Sequence, residues 1–126
     1  MESVIIDTSA ILFAMENRKD IFASVEEAMP EAQILISNGI VEELEMISAS
    51  GNENKKAAKA ALALLAKHSI KALKNHDYVD DWIVRESKLR NCTVCTNDME
   101  LKKRLKAEKI RVLSVSWNGI VTPSRL

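Results

Sequence analysis

Aromatic residues supply only 4% of the 126 positions, so the buried interior of this chain must be built from Leu, Ile, Val and Ala. Three glycines and two prolines are too few for a loop-rich scaffold. They point instead to regular elements joined by short connections. No apolar run is long enough to cross a bilayer. The richest stretch, Ala57 to Ala66, is short and contains Lys59. No signal peptide is expected, because the opening Met-Glu-Ser-Val-Ile-Ile-Asp is acidic and its apolar part is brief. These absences lead us to expect a soluble cytoplasmic protein with no membrane partner. The two cysteines, Cys92 and Cys95, form a C-x-x-C, but no second Cys/His pair exists to complete a zinc site. Cys-Thr-Val-Cys reads as a strand, on which side chains three apart face opposite ways, so ordinary buried thiols are expected rather than a redox pair.

What is present is enough for one domain with a single core: 47% of residues are hydrophobic. The formal net charge is zero, yet residues 1–50 hold ten acids against two bases and residues 51–126 hold eight against sixteen. Two faces of opposite sign attracting one another would give this pattern. So would a polyanion-binding protein with an acidic metal pocket.

Periodicity and turn chemistry divide the chain as follows. Ser3 to Ile6 is a β-branched strand ending at Asp7. Ser9 to Met15 reads as a helix, and Asp20 to Met29 as another, capped by Asp20 and stopped by Pro30. Ile34 to Ile36 is a strand, after which Ser37-Asn38-Gly39 starts a helix to about Ile47. A loop at Ser50 to Asn52 precedes an Ala-rich helix, Glu53 to Lys67. Ile70 to Leu73 is a short strand. Asp77 caps a helix to about Leu89, Cys92 to Cys95 is a strand, Asp98 to Ala107 a helix and Ile110 to Val115 the last strand. The tail, residues 116–126, has no evident placement. Strands alternating with helices predict a single α/β domain over residues 1–126. It is a three-layer α/β/α sandwich around a central parallel sheet.

In such a sheet, sites form outside the carboxyl ends of the strands. Asp7 closes the first strand, and Asp98 follows the Cys92–Cys95 strand after Thr96-Asn97. Each alone also reads as a helix cap. Glu43 lies on or beside the apolar stripe Ile40, Leu44, Ile47, whereas Glu42 and Glu45 turn toward water. A carboxylate on such a stripe either has a partner or is a border residue that snorkels out to water. Asp80 is in phase with Ile83, Val84 and Ser87, the inward face of its helix. Asp81 is in phase with Arg85 and Lys88, where an ion pair along the helix is expected, and is at most a helper. Four carboxylates meeting at one edge would repel one another, and a divalent cation removes that conflict. An all-oxygen set selects a hard ion, Mg²⁺ or Mn²⁺, which activates water and polarises phosphoryl oxygens. Thr8, Ser9, Thr96 and Asn97 surround the strand ends as supporting groups or as turn residues.

With these residues in place the chain resembles the PIN-domain ribonucleases. The resemblance is carried by Ile5-Ile6-Asp7-Thr8-Ser9-Ala10, Val41-Glu42-Glu43-Leu44, Val79-Asp80-Asp81-Trp82-Ile83-Val84 and Thr96-Asn97-Asp98-Met99-Glu100-Leu101. It covers nearly the whole chain apart from the tail. It implies a fold related to the 5′-nucleases and Mg²⁺- or Mn²⁺-dependent hydrolysis of single-stranded or structured RNA that leaves a 5′-phosphate and a 3′-hydroxyl. The family's four acids fall on Asp7, Glu43, Asp80 and Asp98. The details look most like archaeal members similar to ribosomal-RNA-processing proteins. Toxins of toxin–antitoxin pairs are also close, which would make an antitoxin or a ribosome-assembly factor a partner and a dimer or tetramer the state.

A basic run just after Asp98, namely Lys102, Lys103, Arg104, Lys106, Lys109 and Arg111, reads either as a solvated helix face or as an RNA-binding patch beside the site. Two rivals are weighed. An aspartyl-nucleophile phosphatase wants a second acid two residues after the first, and that position is Ser9. A non-catalytic RNA-binding or protein-interaction module is the other. Against it, all four acids are present, and Tyr78, Trp82 and Trp117 are scattered rather than gathered into a stacking platform.

Overall fold

The structure is a computed structural model and describes residues 2–75 and 77–124. The chain runs β1 (Ser3–Ile6), α1 (Thr8–Glu16), α2 (Ile21–Ala28), β2 (Gln33–Ser37), α3 (Asn38–Ala49), α4 (Lys55–Lys67), β3 (Lys71–Leu73), α5 (Val79–Arg90), β4 (Thr93–Cys95), α6 (Met99–Ala107), β5 (Val112–Val115) and β6 (Val121–Pro123). The strands form one sheet in the order β3-β2-β1-β4-β5-β6. The first five are parallel, and β6 pairs antiparallel with β5.

Strand alternation builds two apolar layers. Val4, Ile6, Ile34, Ile36, Cys95, Leu113 and Val115 face α1 to α4. Ile5, Leu35, Val94 and Val112 face the other way, onto Trp82 and Ile83 of α5 and Leu101 and Leu105 of α6. Both faces of the sheet are thus covered, as a parallel sheet requires, and its strands read as unbroken hydrophobic runs. Each such Ile or Val contributes about 1.5–3 kcal/mol through burial. No aromatic-rich core is needed: Trp82 and Phe22 are the two large rings that are fully buried. The cysteines fall one in each layer, both as free thiols, which agrees with their spacing on a strand. Burial drives the Cys95 pKa up to about 12, so it is inert as a nucleophile.

Helix starts follow the sequence closely. Asp20 accepts from the N–H groups of Phe22 and Ala23, and Ser37 from that of Ile40. The shortage of glycine shows at the helix ends. Arg18, Ser69, Asn91 and Lys109 take positive φ just past α1, α4, α5 and α6, a conformation glycine adopts without cost. Two expectations are corrected. Helix α5 begins at Val79 with Tyr78 as its N-cap residue, so Asp77 lies one residue outside and pairs with Arg85. The tail is also not structureless. After a turn at Gly119 (φ +83°), Val121–Pro123 returns as β6, so Val115 does not end the last strand. A three-residue strand containing proline carries almost no sequence signal, and proline is tolerated there because β6 is the sheet edge. Arg125 and Leu126 lie outside the described residues. No helix among the described residues is long and apolar enough to cross a membrane.

Candidate active site

From β1 the chain moves to one side, to β2 and β3, and then crosses back to β4 and β5 on the other. The β1/β4 junction is therefore the topological switch point, where the outgoing loops part and leave a crevice. Ile6 pairs with Cys95, and the Asp7 N–H extends the ladder by donating to the Cys95 carbonyl at 2.9 Å. That register sets Asp7 level with Thr96 at the mouth of the crevice.

Asp7 is buried and held by one oxygen. Ser9 Oγ donates to Asp7 Oδ2 at 2.8 Å, and Thr96 Oγ1 donates to the same oxygen at 2.9 Å. Each hydroxyl has one proton, so the 3.1 Å approach of Ser9 Oγ to Thr96 Oγ1 is then a proximity and not a third bond. The hydroxyl oxygens in turn accept backbone N–H groups, Asn97 N to Ser9 Oγ at 3.2 Å and Asp98 N to Thr96 Oγ1 at 3.0 Å. This fixes the direction of every proton in the loop and leaves Asp7 Oδ1 for a ligand. Asp98 is arranged alike. Its Oδ1 caps α6 through the N–H groups of Glu100 and Leu101 at 2.9 and 3.1 Å, so it is both a cap and a site residue.

Glu43 comes from the second turn of α3. The residue is exposed, yet its Oε2 accepts the hydroxyl of buried Thr8 at 3.2 Å. Its pKa is raised. Partial burial of the carboxyl pushes it up, the Thr8 bond pulls it back, and the charges of Asp7 and Asp80 push it up again. Asp80 comes from the first turn of α5. Burial raises its pKa, as do Asp7, Asp98 and Asp81, while Arg104 lowers it. The four acids, with Thr8, Ser9, Leu12 and Val79, line one cleft of ≈ 230 Å³. That is below the ~300 Å³ floor usual for small-molecule pockets. Larger hollows exist elsewhere, of ≈ 500 Å³ around Gln33 and His68 and of ≈ 370 Å³ around Lys88 and Arg111, but neither gathers these acids.

Other assignments separate. Asp81 turns away and pairs with Arg104 Nη2 of α6 at 2.9 Å, not with Arg85 or Lys88, which are engaged by Asp77 and Glu108. Helices α5 and α6 pack against each other, which brings a cross-helix cation within reach of Asp81. Asn97 does not face the carboxylates with its side chain. Its amide binds the backbone of Val115 twice, at 2.9 and 3.0 Å, and so locks the β4–α6 loop to β5. Within the basic run, Lys102 differs from the rest. Lys102 is only 8% exposed, on the inward side of α6 beside Leu101 and Leu105. Lys103 pairs with Glu100 at 3.6 Å and Arg104 with Asp81, which leaves Lys106, Lys109 and Arg111 exposed and in no ion pair with an acid among the described residues.

Two residues not singled out in the sequence hold the site's frame. Asn75 Oδ1 accepts the Gly39 N–H at the start of α3 at 2.8 Å, while its Nδ2 donates to the Asp77 carbonyl at 2.8 Å. A Cβ on Gly39 would come within 2.8 Å of Val79 Cγ2. The first turn of α3, one turn before Glu43, and the first turn of α5, which carries Asp80, are thereby packed in direct contact. A glycine inside a helix start was the one available signal.

The donor chemistry fits a hard divalent ion: oxygens only, mutually repelling, with Asp7 and Asp98 each keeping one oxygen free of protein donors. Among the described residues, however, no three acid or imidazole groups close around a single point at ligand distance. An ion such as Mg²⁺ takes one or two carboxylates directly and keeps several waters, so it does not require three.

The family model of the PIN like domain matches residues 4–116. Among solved structures, that of the PIN domain endonuclease Utp24 is 28% identical with a TM-score of 0.79, covering 98% of this chain and 92% of that one. A domain of a functionally unknown protein from Methanocaldococcus jannaschii DSM 2661 is 21% identical with a TM-score of 0.66, covering 92% of each chain, and shares the fold. No curated protein matches the sequence. The match spans β1 through the end of β5 and takes in all four cleft acids, and on that ground the chain belongs to the PIN-like domain family.

Proposed function

We propose that this chain is a Mg²⁺- or Mn²⁺-dependent endoribonuclease that hydrolyses RNA phosphodiester bonds at the cleft of Asp7, Glu43, Asp80 and Asp98. One observation carries the reading: four carboxylates delivered by four different elements line one cleft at the switch point of the sheet. The similarity to a PIN domain endonuclease supports it. A bound divalent ion would supply activation of water and neutralisation of charge at the phosphate.

The chain's own groups do the rest. The Ser9–Thr96 pair and the α6 amides orient Asp7 and Asp98 so that one oxygen of each is left for the ion. Thr8 holds the Glu43 carboxyl against the opposite wall. Leu12 and Val79 give the cleft an apolar lining that strengthens its electrostatics. Thr8, Ser9 and Thr96 thus act through the acids they position, and Asp81 acts on Asp80 only through its charge and its hold on Arg104.

RNA hydrolysis followed with and without Mg²⁺ or Mn²⁺ tests the proposal, with calorimetric titration of each metal beside it. A protein that cuts no RNA and binds neither ion is not this enzyme. A non-catalytic RNA-binding or interaction module is the second reading, favoured by the finding that no three acid or imidazole groups among the described residues are placed to hold an ion. RNA binding that is indifferent to both metals would select it. Cytoplasmic location, self-association into a dimer or tetramer, and a role in RNA processing or as a toxin belong to the same proposal. The neighbouring reading frame decides whether an antitoxin or a ribosome-assembly factor is the partner.

A further inference from the structure

Resting on the nuclease reading, we propose that Tyr78 is a stacking seat for an unpaired base at the rim of the cleft. Among five aromatic residues, Phe22 and Trp82 are fully buried and Phe13 packs against the core. Trp117 is exposed, but on the β5–β6 turn, where neighbouring Gly119 packs against Lys19. Tyr78 is 84% exposed and directly precedes Val79 and Asp80, both of which line the cleft.

The mount is rigid. Tyr78 is the N-cap residue of α5, and its carbonyl accepts the N–H of fully buried Trp82 at 2.9 Å. A ring on an anchored backbone loses little freedom when a base settles on it.

Two further facts call for such a contact. The cleft is small, ≈ 230 Å³, and none of its lining residues is aromatic, so it offers a base no stacking face of its own. Of the cations on α6 near Asp98, Lys102 is buried, Lys103 and Arg104 each lie beside an acid, and Lys106 is exposed. A contact that does not depend on charge would add to their hold on a polyanion approaching four carboxylates. Stacking on an aromatic face is such a contact and accepts any base. Duplex RNA offers none, since its bases are already stacked on one another.

The test uses the full chain, a short single-stranded RNA, the same RNA with one abasic position moved along it, and its duplex. Anisotropy reads binding and steady-state cleavage with Mn²⁺ reads KM and kcat. Tyr78→Ala should weaken single-strand binding roughly tenfold and raise KM alike with kcat unchanged. Tyr78→Phe and Tyr78→Trp should stay near wild type. The loss should be the same at low and high salt, absent for the duplex, and abolished when the abasic site occupies one particular position. Wild-type binding by Tyr78→Ala overturns the proposal. So does an equal loss in Tyr78→Phe, which would point to the hydroxyl, or an equal loss for the duplex. Binding that depends on Tyr78 with no cleavage under either metal would sink the nuclease reading alone. Cleavage that is indifferent to Tyr78 sinks this inference alone.

Discussion

Asn75 and Gly39, 36 residues apart, join the loop after β3 to the first turn of α3 through a 2.8 Å hydrogen bond from the Gly39 N–H to Asn75 Oδ1. Because α5 begins a few residues after Asn75, this bond sets the helix of Glu43 against the helix of Asp80. Asn75→Ala should cost about 1 kcal/mol of stability, the usual size for losing a helix-capping acceptor. It should also lower Mn²⁺ affinity. Asn75→Asp keeps the acceptor and should recover much of the metal affinity. Calorimetry alongside thermal unfolding separates the two effects. Metal affinity unchanged in Asn75→Ala would show that the acids do not depend on this link.

Asp7→Asn and Asp98→Asn should each reduce RNA cleavage by at least ~100-fold, the scale of losing a preorganised charge at a phosphoryl centre. Both should leave the circular dichroism spectrum intact, because Asn accepts from the same donors with its amide oxygen. Cleavage within a few-fold of wild type in either variant removes that residue from the site.

Asp80→Asn should damage cleavage far more than Asp81→Asn. The Asp81 carboxylate forms a half-exposed ion pair with Arg104, worth about 0–1 kcal/mol. Its loss should shift the melting temperature slightly and change kcat little. The opposite ranking would mean that the two neighbours have been assigned the wrong way round.

A carboxyl whose pKa is raised on folding costs stability above its folded pKa and costs none below the unfolded value. Asp80 and Glu43 are both raised, with partial burial the largest cause in each. Metal-free Asp80→Asn should therefore melt above wild type at pH 7, and the advantage should vanish below about the unfolded value of 3.8. Mn²⁺ should raise the wild-type melting temperature and narrow the gap at pH 7. A variant that melts lower than wild type at pH 7 without metal would contradict the crowding of these acids.

Away from the site, His68 Nε2 lies 2.8 Å from Asp20 Oδ2 and its Nδ1 lies 3.1 Å from Glu26. The Asp20 bond raises the His68 pKa, outweighing burial. Burial pushes Asp20 up, but the His68 bond, the His68 charge and the two amides it caps carry it below 3.8 overall. The raised histidine stabilises fully below its unfolded value of 6.5, and that contribution disappears as pH rises through the folded pKa. The depressed aspartate contributes above 3.8 and loses its effect as pH falls through its folded pKa. The melting-temperature gap between wild type and His68→Asn should thus be widest from about pH 4 to 6.5 and shrink toward pH 8. A gap that widens toward pH 8 would show that the neutral imidazole, not the ion pair, matters.

Much of the fold was legible because its local rules agree with one another. Continuous β-branched runs at Val4 to Ile6 and Ile34 to Ile36 mark strands covered on both faces, and Asp20, Ser37 and Asp98 mark helix starts with their own side chains. Strand β6 was illegible because an edge strand of three residues needs neither alternation nor β-branching, only β5 to pair with. The start of α5 was misjudged because Asp77 has the chemistry of a cap, while its partner Arg85 lies two turns along the helix.

The sequence by itself determined which acids can face inward. Helical phase separates Glu43 from Glu42 and Glu45, and Asp80 from Asp81, because a 3.6-residue period is a property of the local chain. Only the tertiary structure decided what those acids meet: Thr96 donating to Asp7 across the β1–β4 junction, Arg104 drawing Asp81 away, and Lys102 turned inward while Lys103 pairs with Glu100. Of these, the contacts of Asp7 and Asp81 join residues 89 and 23 positions apart, a distance over which periodicity says nothing and strand order, register and helix packing decide.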